Sequence, residues 1–313
     1  FSGERHQLFA QKAKNIPLIG GIFLFLTFSY ILFLQSKLLF ISFLFLFLIL
    51  GIFVDLKILI SPKIRILIQS FLIISIVYIF DLNIPTSRVV FVDYFLDQKI
   101  INILFVTFCI LVLINGANFI DGLNGLLIGY FCIISFFLLK INFFDFIDLS
   151  FDETVVFFSI MVILFLFNFF NQIYLGDNGA YILGIFFGTL VVSFYQSYQN
   201  ISPYYIILLF WYPCFENLFS IIRKIRMKKS PMKPDTNHLH QVLFFFIKKK
   251  FFVNQFYSNN FSSLIILGIN LIILNIGNIN IYSSIHQLSV ILISISIYLF
   301  SYNYLLNFKL KNK

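Results

Sequence analysis

Ten apolar runs account for most of this chain, and each is long enough, or nearly so, to cross the ~30 Å hydrocarbon core of a bilayer. Because lipid cannot satisfy backbone hydrogen bonds, runs of this kind fold as helices. Of the 313 residues, 60% are hydrophobic and only 11% are charged. The sequence therefore predicts an all-α, polytopic membrane helical bundle of about ten spans. The runs cover residues 18–35, 38–54, 64–80, 100–117, 123–140, 154–170, 179–194, 203–222, 261–279 and 284–306.

The basic residues predict how the bundle is oriented. If the N-terminus is cytoplasmic, only four of the 22 Lys and Arg residues fall outside, namely Lys37, Arg88, Lys99 and Lys140. This bias follows the positive-inside rule and predicts that the C-terminus is cytoplasmic too. The net charge of +9 is then a topology signal with some attraction to anionic lipid, which argues against a nucleic-acid partner.

Two short polar motifs, residues 118–124 and 176–179, interrupt the apolar sequence. Their carboxylates, Asp121 and Asp177, are costly near membrane depth unless they hold an ion, a partner or a proton path. Together with the amide of Asn118 they provide the oxygen ligands that magnesium prefers. The simpler alternative is that they only cap helix ends. For Asp177 taken alone, the two interpretations are evenly balanced.

A third polar segment follows the eighth run and carries His238 and His240 within a basic loop. These side chains could hold a diphosphate, although a His-x-His pair in such a loop is as often a solvated surface. Zinc is not favoured, because no cysteine or second histidine pair lies nearby. Glu216 precedes Arg223 by two helical turns, so we predict a structural ion pair between them.

The predicted topology places all of these polar groups at one membrane face. Asp55 follows the second run, the 118–124 motif follows the fourth, the 176–179 motif precedes the seventh, and the histidines follow the eighth. Asp55 alone could be only a charge partner for the basic loop after it. Taken together, the groups predict a metal and phosphate site on the cytoplasmic face of a membrane enzyme.

The order of these motifs resembles that of the polyprenyl-phosphate N-acetylhexosamine-1-phosphate transferases, glycosyltransferase family 4. This family includes undecaprenyl-phosphate GlcNAc-1-phosphate transferase and phospho-MurNAc-pentapeptide translocase. The resemblance implies one integral membrane domain over residues 1–313, with ten or eleven spans in the family. Because Arg5 and His6 match the loop after the family's first helix, it also implies a further span before Phe1. The matching segments are 16–21, Asp55 with 61–65 and Gln69, 118–126, 176–179, and 234–235 with 238–240.

The resemblance also implies a reaction. The phosphate of undecaprenyl phosphate attacks the inner phosphate of a UDP-linked N-acetylhexosamine, and UMP leaves. Such a step would initiate a cell-surface polysaccharide, such as lipopolysaccharide or a cell-wall polymer, at the bacterial inner membrane. A homodimer is left open. By matching positions, Asp177 and Asn118 would hold Mg²⁺ or Mn²⁺, Asp55 and Asp121 would be catalytic, and Asn124, His238, His240, Arg223 and Lys224 would bind substrate.

One departure from the family pattern keeps a second hypothesis open. The family usually has two adjacent Asp residues where this chain has Val54 and Asp55, so a catalytically weakened or inactive homologue with an assembly role is an alternative. A secondary transporter is less favoured, because no internal repeat is visible and the polar motifs lie at one face instead of the midplane. The amino sugar is not identified by the sequence.

Overall fold

The computed structural model describes residues 16–231, 235–251 and 254–312, and in these residues the chain forms fourteen helices and no strand. The predicted all-α fold is therefore confirmed. The helices are α1 (Gly20–Leu34), α2 (Leu38–Asp55), α3 (Pro62–Ile79), α4 (Val90–Leu96), α5 (Lys99–Ile120), α6 (Leu126–Leu139), α7 (Phe143–Phe146), α8 (Phe151–Phe169), α9 (Gly176–Ser197), α10 (Pro203–Leu209), α11 (Trp211–Arg226), α12 (Leu239–Phe251), α13 (Gln255–Gly277) and α14 (Ser284–Lys311).

The described part of the chain contains seven helices that are long and apolar enough to cross a membrane, which makes this a multi-pass membrane protein. They are α2, α3, α5, α8, α9, α13 and α14. The bent pair α10 and α11 would supply an eighth span, whereas α1 and α6 are apolar but shorter. Each of the ten predicted runs coincides with one of these helices or with the bent pair. Length and composition support seven or eight spans, so the count of ten is not confirmed.

Helix α9 lies at the centre of the bundle, and most of its residues are buried. It packs against α1, α2 and α5. Small residues make this possible, because they let helix backbones approach closely where a larger side chain would separate them. A Cβ atom on Gly51 of α2 would lie 2.2 Å from the Cα of Asn178, and one on Gly184 would lie 2.8 Å from the Cα of Ile114 in α5. This packing brings the first turn of α9 against the end of α2.

The polar motif after α5 forms a sharp turn between two helices. Helix α5 ends at Ile120, Gly125 adopts a left-handed conformation with φ of +73°, and α6 begins at Leu126. The motif 118–124 is therefore divided between a helix and a turn. Asn118 lies in the last turn of α5, while Asp121 caps the end of that helix.

The predicted run 203–222 is not one straight helix. It breaks at Phe210, and α10 and α11 meet at 77°. Pro213, the third residue of α11, has no N–H and its ring excludes the carbonyl four residues earlier, which is a common cause of such kinks. The histidine segment is only partly a loop, because His240 lies in the first turn of α12.

The orientation predicted from the basic residues can be tested by labelling. In a variant without its native cysteines, a cysteine at Ser230 should react with an impermeant maleimide only from the cytoplasmic side. A cysteine at Asp152 should react only from the outside. Both positions are exposed, and the charge bias predicts that they lie on opposite faces. Asp152 is preferred to Ser150, since Ser150 caps α8. Reversed labelling would contradict the predicted orientation.

Candidate active site

Asp55, at the end of α2, caps the N-terminus of the central helix α9. Its Oδ1 accepts a hydrogen bond from the backbone N–H of Asp177 (3.0 Å). Its Oδ2 accepts bonds from the backbone (3.3 Å) and the side-chain amide (2.6 Å) of Asn178. Helix α9 has no capping side chain of its own at Leu175, so Asp55 satisfies N–H groups that would otherwise lack partners. The carboxylate predicted as catalytic therefore also fixes where Asp177 lies.

Asp177 is surrounded by groups from three helices. Its Oδ1 accepts a hydrogen bond from the amide of Asn118 in α5 (2.6 Å). Its Oδ2 lies 3.4 Å from Nη1 of Arg65 in α3 and 3.4 Å from the hydroxyl of Tyr181. The structure thus brings together the two predicted metal ligands, Asp177 and Asn118. Arg65 belongs to a segment that matches the family, but sequence reasoning did not single it out as a site residue.

Asp121 completes a group of three carboxylates. It lies beside the α9 N-terminus, where the N–H of Gly176 donates a hydrogen bond to it. Burial raises the pKa of the Asp121 carboxyl well above its usual value, and the negative charges of Asp177 and Asp55 raise it further. Acids that repel one another in this way are stabilised by a cation that lies between them.

The donor set fits a hard divalent cation that also takes ligands from its substrate. In the described residues, no three His, Cys, Asp or Glu side chains form a ready-made metal cage. Magnesium does not need one, because it is usually held by one or two carboxylates together with water and substrate phosphates. Asp177 provides a carboxylate, and the amide of Asn118 presents its oxygen to the same point if it rotates by half a turn. Asp121 and Asp55 lie alongside.

The two histidines lie beside the acidic group. The rings of His238 and His240 stack with centroids 5.6 Å apart, and His238 also contacts the ring of Phe119 at 5.2 Å. A Cβ on Gly122 would lie 2.3 Å from Nε2 of His240. Glycine is therefore required next to Asp121 for His240 to approach. Both histidines are buried, which contradicts the solvated-surface alternative.

The predicted ion pair between Glu216 and Arg223 is wrong. Glu216 is fully buried and lies 2.9 Å from Nδ1 of His238. Arg223 instead pairs with Asp235 at 2.6 Å and donates to the hydroxyl of Tyr302 at 2.8 Å. The reason is that the segment after α11 folds back onto it, so that acceptors distant in sequence replace the one two turns away.

Arg223 and Lys224 donate hydrogen bonds to backbone carbonyls of the segment that carries the histidines. Arg223 also donates to the carbonyl of Asn237, and Lys224 donates to the carbonyl of Pro231 at 3.1 Å. Both side chains are buried. Their bonds support the loop that carries the histidines, and a role in substrate binding stays a prediction for both.

Asn124 has polar partners from α13 instead of facing open space. Its backbone N–H donates to Asn259 (2.7 Å), and its side-chain amide donates to Asn260 (3.3 Å). The next residue, Gly125, donates to Asn168 (2.7 Å). These amides hold the turn after Asp121. Contact between Asn124 and a uracil base stays a prediction.

Residues 16–21, the first segment that matches the family, contact the start of α9. The N–H of Tyr174 donates to the carbonyl of Pro17, and the N–H of Gly20 donates to the carbonyl of Tyr174, each at 3.0 Å. A Cβ on Gly21 would lie 2.4 Å from the backbone nitrogen of Gly179. The residues that match the family at 16–21 therefore pack directly on the start of α9. Arg5 and His6 lie outside the described residues.

This geometry defines the class of protein. It is a multi-pass helical membrane protein with an acidic cluster and a histidine pair at one end of its bundle. The family model for glycosyl transferase family 4 matches residues 37–195, half of the chain. The chain belongs to this family.

Three curated relatives are similar over part of their length. The undecaprenyl-phosphate alpha-N-acetylglucosaminyl 1-phosphate transferase of Thermotoga maritima is 31% identical over 130 residues, which are 42% of this chain and 39% of the relative. The probable undecaprenyl-phosphate N-acetylglucosaminyl 1-phosphate transferase of Bacillus subtilis is 30% identical over 42% of this chain and 37% of its own. The decaprenyl-phosphate N-acetylglucosaminephosphotransferase of Mycolicibacterium smegmatis is 28% identical over the same shares. The matched segment thus spans about two fifths of each relative.

Proposed function

We propose that this protein transfers an N-acetylhexosamine 1-phosphate, with N-acetylglucosamine 1-phosphate as the first candidate, from a UDP-sugar to undecaprenyl phosphate. An oxygen of the lipid phosphate forms a bond to the phosphorus that carries the sugar, the bond from that phosphorus to UMP breaks, and UMP leaves. The observation that carries the proposal is the meeting of Asp55, Asn118, Asp121 and Asp177 at the start of α9, with His240 packed against Gly122.

Charge neutralisation is the main requirement of this reaction. Phosphoryl transfer needs positioned groups that balance negative charge on the phosphates, more than it needs covalent chemistry. Arg65 contributes a fixed positive charge beside Asp177, and the histidine pair contributes N–H groups close to Asp121. A lipid phosphate is already largely ionised at neutral pH, because its second pKa is about 6. A strong general base is therefore not required.

Asp177 and Asn118 would hold Mg²⁺ or Mn²⁺, with Asp121 close to the ion or to its phosphates. When bound, such an ion would neutralise charge on the diphosphate and align it for displacement. Asp55 acts mainly through Asp177, because its carboxylate bonds the first turn of α9. His238 and His240 would contact the sugar diphosphate, and Asn124 the uracil base.

The relatives' printed names support the acceptor and the sugar, since two of them name undecaprenyl phosphate and all three name N-acetylglucosamine. We propose the bacterial inner membrane as the location, with the site and the C-terminus on the cytoplasmic face, where soluble UDP-sugars are available. Membrane lipid would surround the bundle. The product would initiate a cell-surface polysaccharide, and a homodimer is compatible with the chemistry.

A weakened or inactive homologue is the second candidate, and one observation favours it. Val54 replaces an acid of the family pattern and is buried, only 5% exposed, within the hydrophobic core. The neighbouring Asp55 uses its two oxygens to cap α9. A lipid phosphate that depends on a free carboxylate at the end of α2 would therefore react slowly.

Release of UMP tests the proposal and its metal requirement together. Purified protein in detergent with undecaprenyl phosphate should release UMP from UDP-N-acetylglucosamine or from another member of a panel of UDP-sugars. Activity should disappear with EDTA and return with excess MgCl₂ or MnCl₂, because the carboxylates would repel the diphosphate unless a cation lies between them. Full turnover in metal-free buffer would contradict the metal assignment. No UMP from any sugar would support the inactive homologue.

A further inference from the structure

Glu216 is a charged side chain in the apolar interior, and each of its oxygens has a partner. It is 0% exposed. Its Oε1 accepts a hydrogen bond from the N–H of Leu239 (3.3 Å) and lies 2.9 Å from Nδ1 of His238. Its Oε2 accepts a bond from the hydroxyl of Tyr298 in α14 (2.6 Å). A buried carboxylate is costly unless its oxygens are bonded, and these three contacts together offset that cost.

These bonds hold the Nδ1 side of the His238 ring, while Oδ1 of Asp235 lies 3.4 Å from Nε2 on the other side. A backbone N–H can only donate, so Oε1 is already an acceptor, and Nδ1 of His238 is the matching donor. The ring then stacks on His240, which lies against Gly122 beside Asp121. A continuous set of contacts therefore runs from Tyr298 in the last helix, through Glu216 and His238, to the acidic cluster.

We propose that Tyr298 is a positioning residue that acts through Glu216 to hold His238 with Nδ1 protonated and its ring stacked on His240. The inference rests on the proposed function for its effect on turnover. It assigns a role in the site to α14, whose sequence is an apolar run with no motif.

The contact between Tyr298 and Glu216 is separate from the contacts that attach the histidine loop to α14. Two other residues of the helix make those contacts. Lys309 donates to the carbonyl of Thr236 and to the side chain of Asn237, and Tyr302 accepts from Arg223. Removing one hydroxyl at Tyr298 leaves these bonds in place. It therefore leaves the loop attached, while Oε2 of Glu216 loses its phenol partner.

Tyr298→Phe is the test, with Tyr304→Phe as its matched control. Tyr304 lies on the same helix and is 55% exposed. We expect kcat to fall about tenfold in Tyr298→Phe, equivalent to ~1.4 kcal/mol of lost transition-state stabilisation. The KM for the UDP-sugar should stay close to that of Tyr304→Phe, since the loop stays attached. The unfolding temperature in detergent should fall, because a buried carboxylate oxygen loses a hydrogen bond. A fall in kcat without a rise in KM indicates an interaction used in the transition state.

A second measurement reports on the histidine without any turnover. The chain has only four histidines, so ¹⁵N-histidine labelling gives a sparse NMR spectrum. The ring-nitrogen signals of His238, assigned with His238→Gln, should show a protonated Nδ1 and should shift in Tyr298→Phe. The signals of His286, which contacts the carbonyl of Ile276, should not move.

The outcomes separate the inference from the proposed function. A native protein that releases no UMP overturns the proposed function. An active native protein beside an equally active Tyr298→Phe variant overturns the inference alone. A fall in kcat with unchanged His238 signals also overturns it, since the effect would then not pass through Glu216. Support requires both the fall in kcat and the shift of the His238 signals.

Discussion

Replacing Asp177 by Asn should lower turnover at least about a hundredfold, a loss of ~2.7 kcal/mol in transition-state stabilisation. The change removes the negative charge that both Asn118 and Arg65 contact. A divalent cation bound at this carboxylate depends on that charge. The N-terminus of α9 should stay in place, because Asp55 bonds the backbone N–H of residue 177 and not its side chain. UMP release and thermal unfolding in detergent measure the two effects separately.

Asp152→Asn is the control for this prediction. Asp152 is also in the first turn of a helix, α8, and is exposed, so the same chemical change occurs at a position remote from the acidic cluster. We expect its turnover to equal that of the native protein. If Asp177→Asn keeps more than about a tenth of native activity, a loss below ~1.4 kcal/mol, Asp177 is not a metal ligand.

Gly51→Ala should disrupt the junction between α2 and α9. The added Cβ would lie 2.2 Å from the Cα and 2.6 Å from the nitrogen of Asn178. Backbone atoms cannot move aside as the end of a flexible side chain can, so the helices must separate. Overpacking typically costs about 1–3 kcal/mol, and we expect the upper end of that range. Separation would also pull Asp55 away from the N–H of Asp177. The activity per folded molecule should therefore fall as well as the stability.

Gly268→Ala is the matched control, since nothing lies within 4 Å of a Cβ at this position in α13. Alanine also has a higher helix propensity than glycine. We expect native activity and an unchanged or slightly higher unfolding temperature in detergent. Equal behaviour of the two alanine variants would contradict the close contact between α2 and α9.

Arg65 and Asp55 show how far sequence reasoning reached into the site. The motif residues Asn118, Asp121 and Asp177 were predicted to converge, because runs of membrane-spanning length place their ends alternately at the two faces. Asp55 was predicted at the same face, but its role as the cap of α9 was not, since Asp55 and Asp177 are 122 positions apart in the chain. Arg65 could have been noticed as a charge within a family-like segment, although nothing local pairs it with Asp177.

The sequence by itself determined the helical class, the approximate bounds of the helices and the end of the bundle at which the polar groups gather. These follow from the length and order of the apolar runs and from the backbone hydrogen bonds that lipid cannot satisfy. Only the tertiary structure decided that Glu216 contacts His238 instead of Arg223, and that Tyr298, Tyr302 and Lys309 of α14 support the histidine segment. Those partners depend on how the chain folds back on itself. Helical periodicity describes neighbours within a helix and carries no information about which distant segment packs against it.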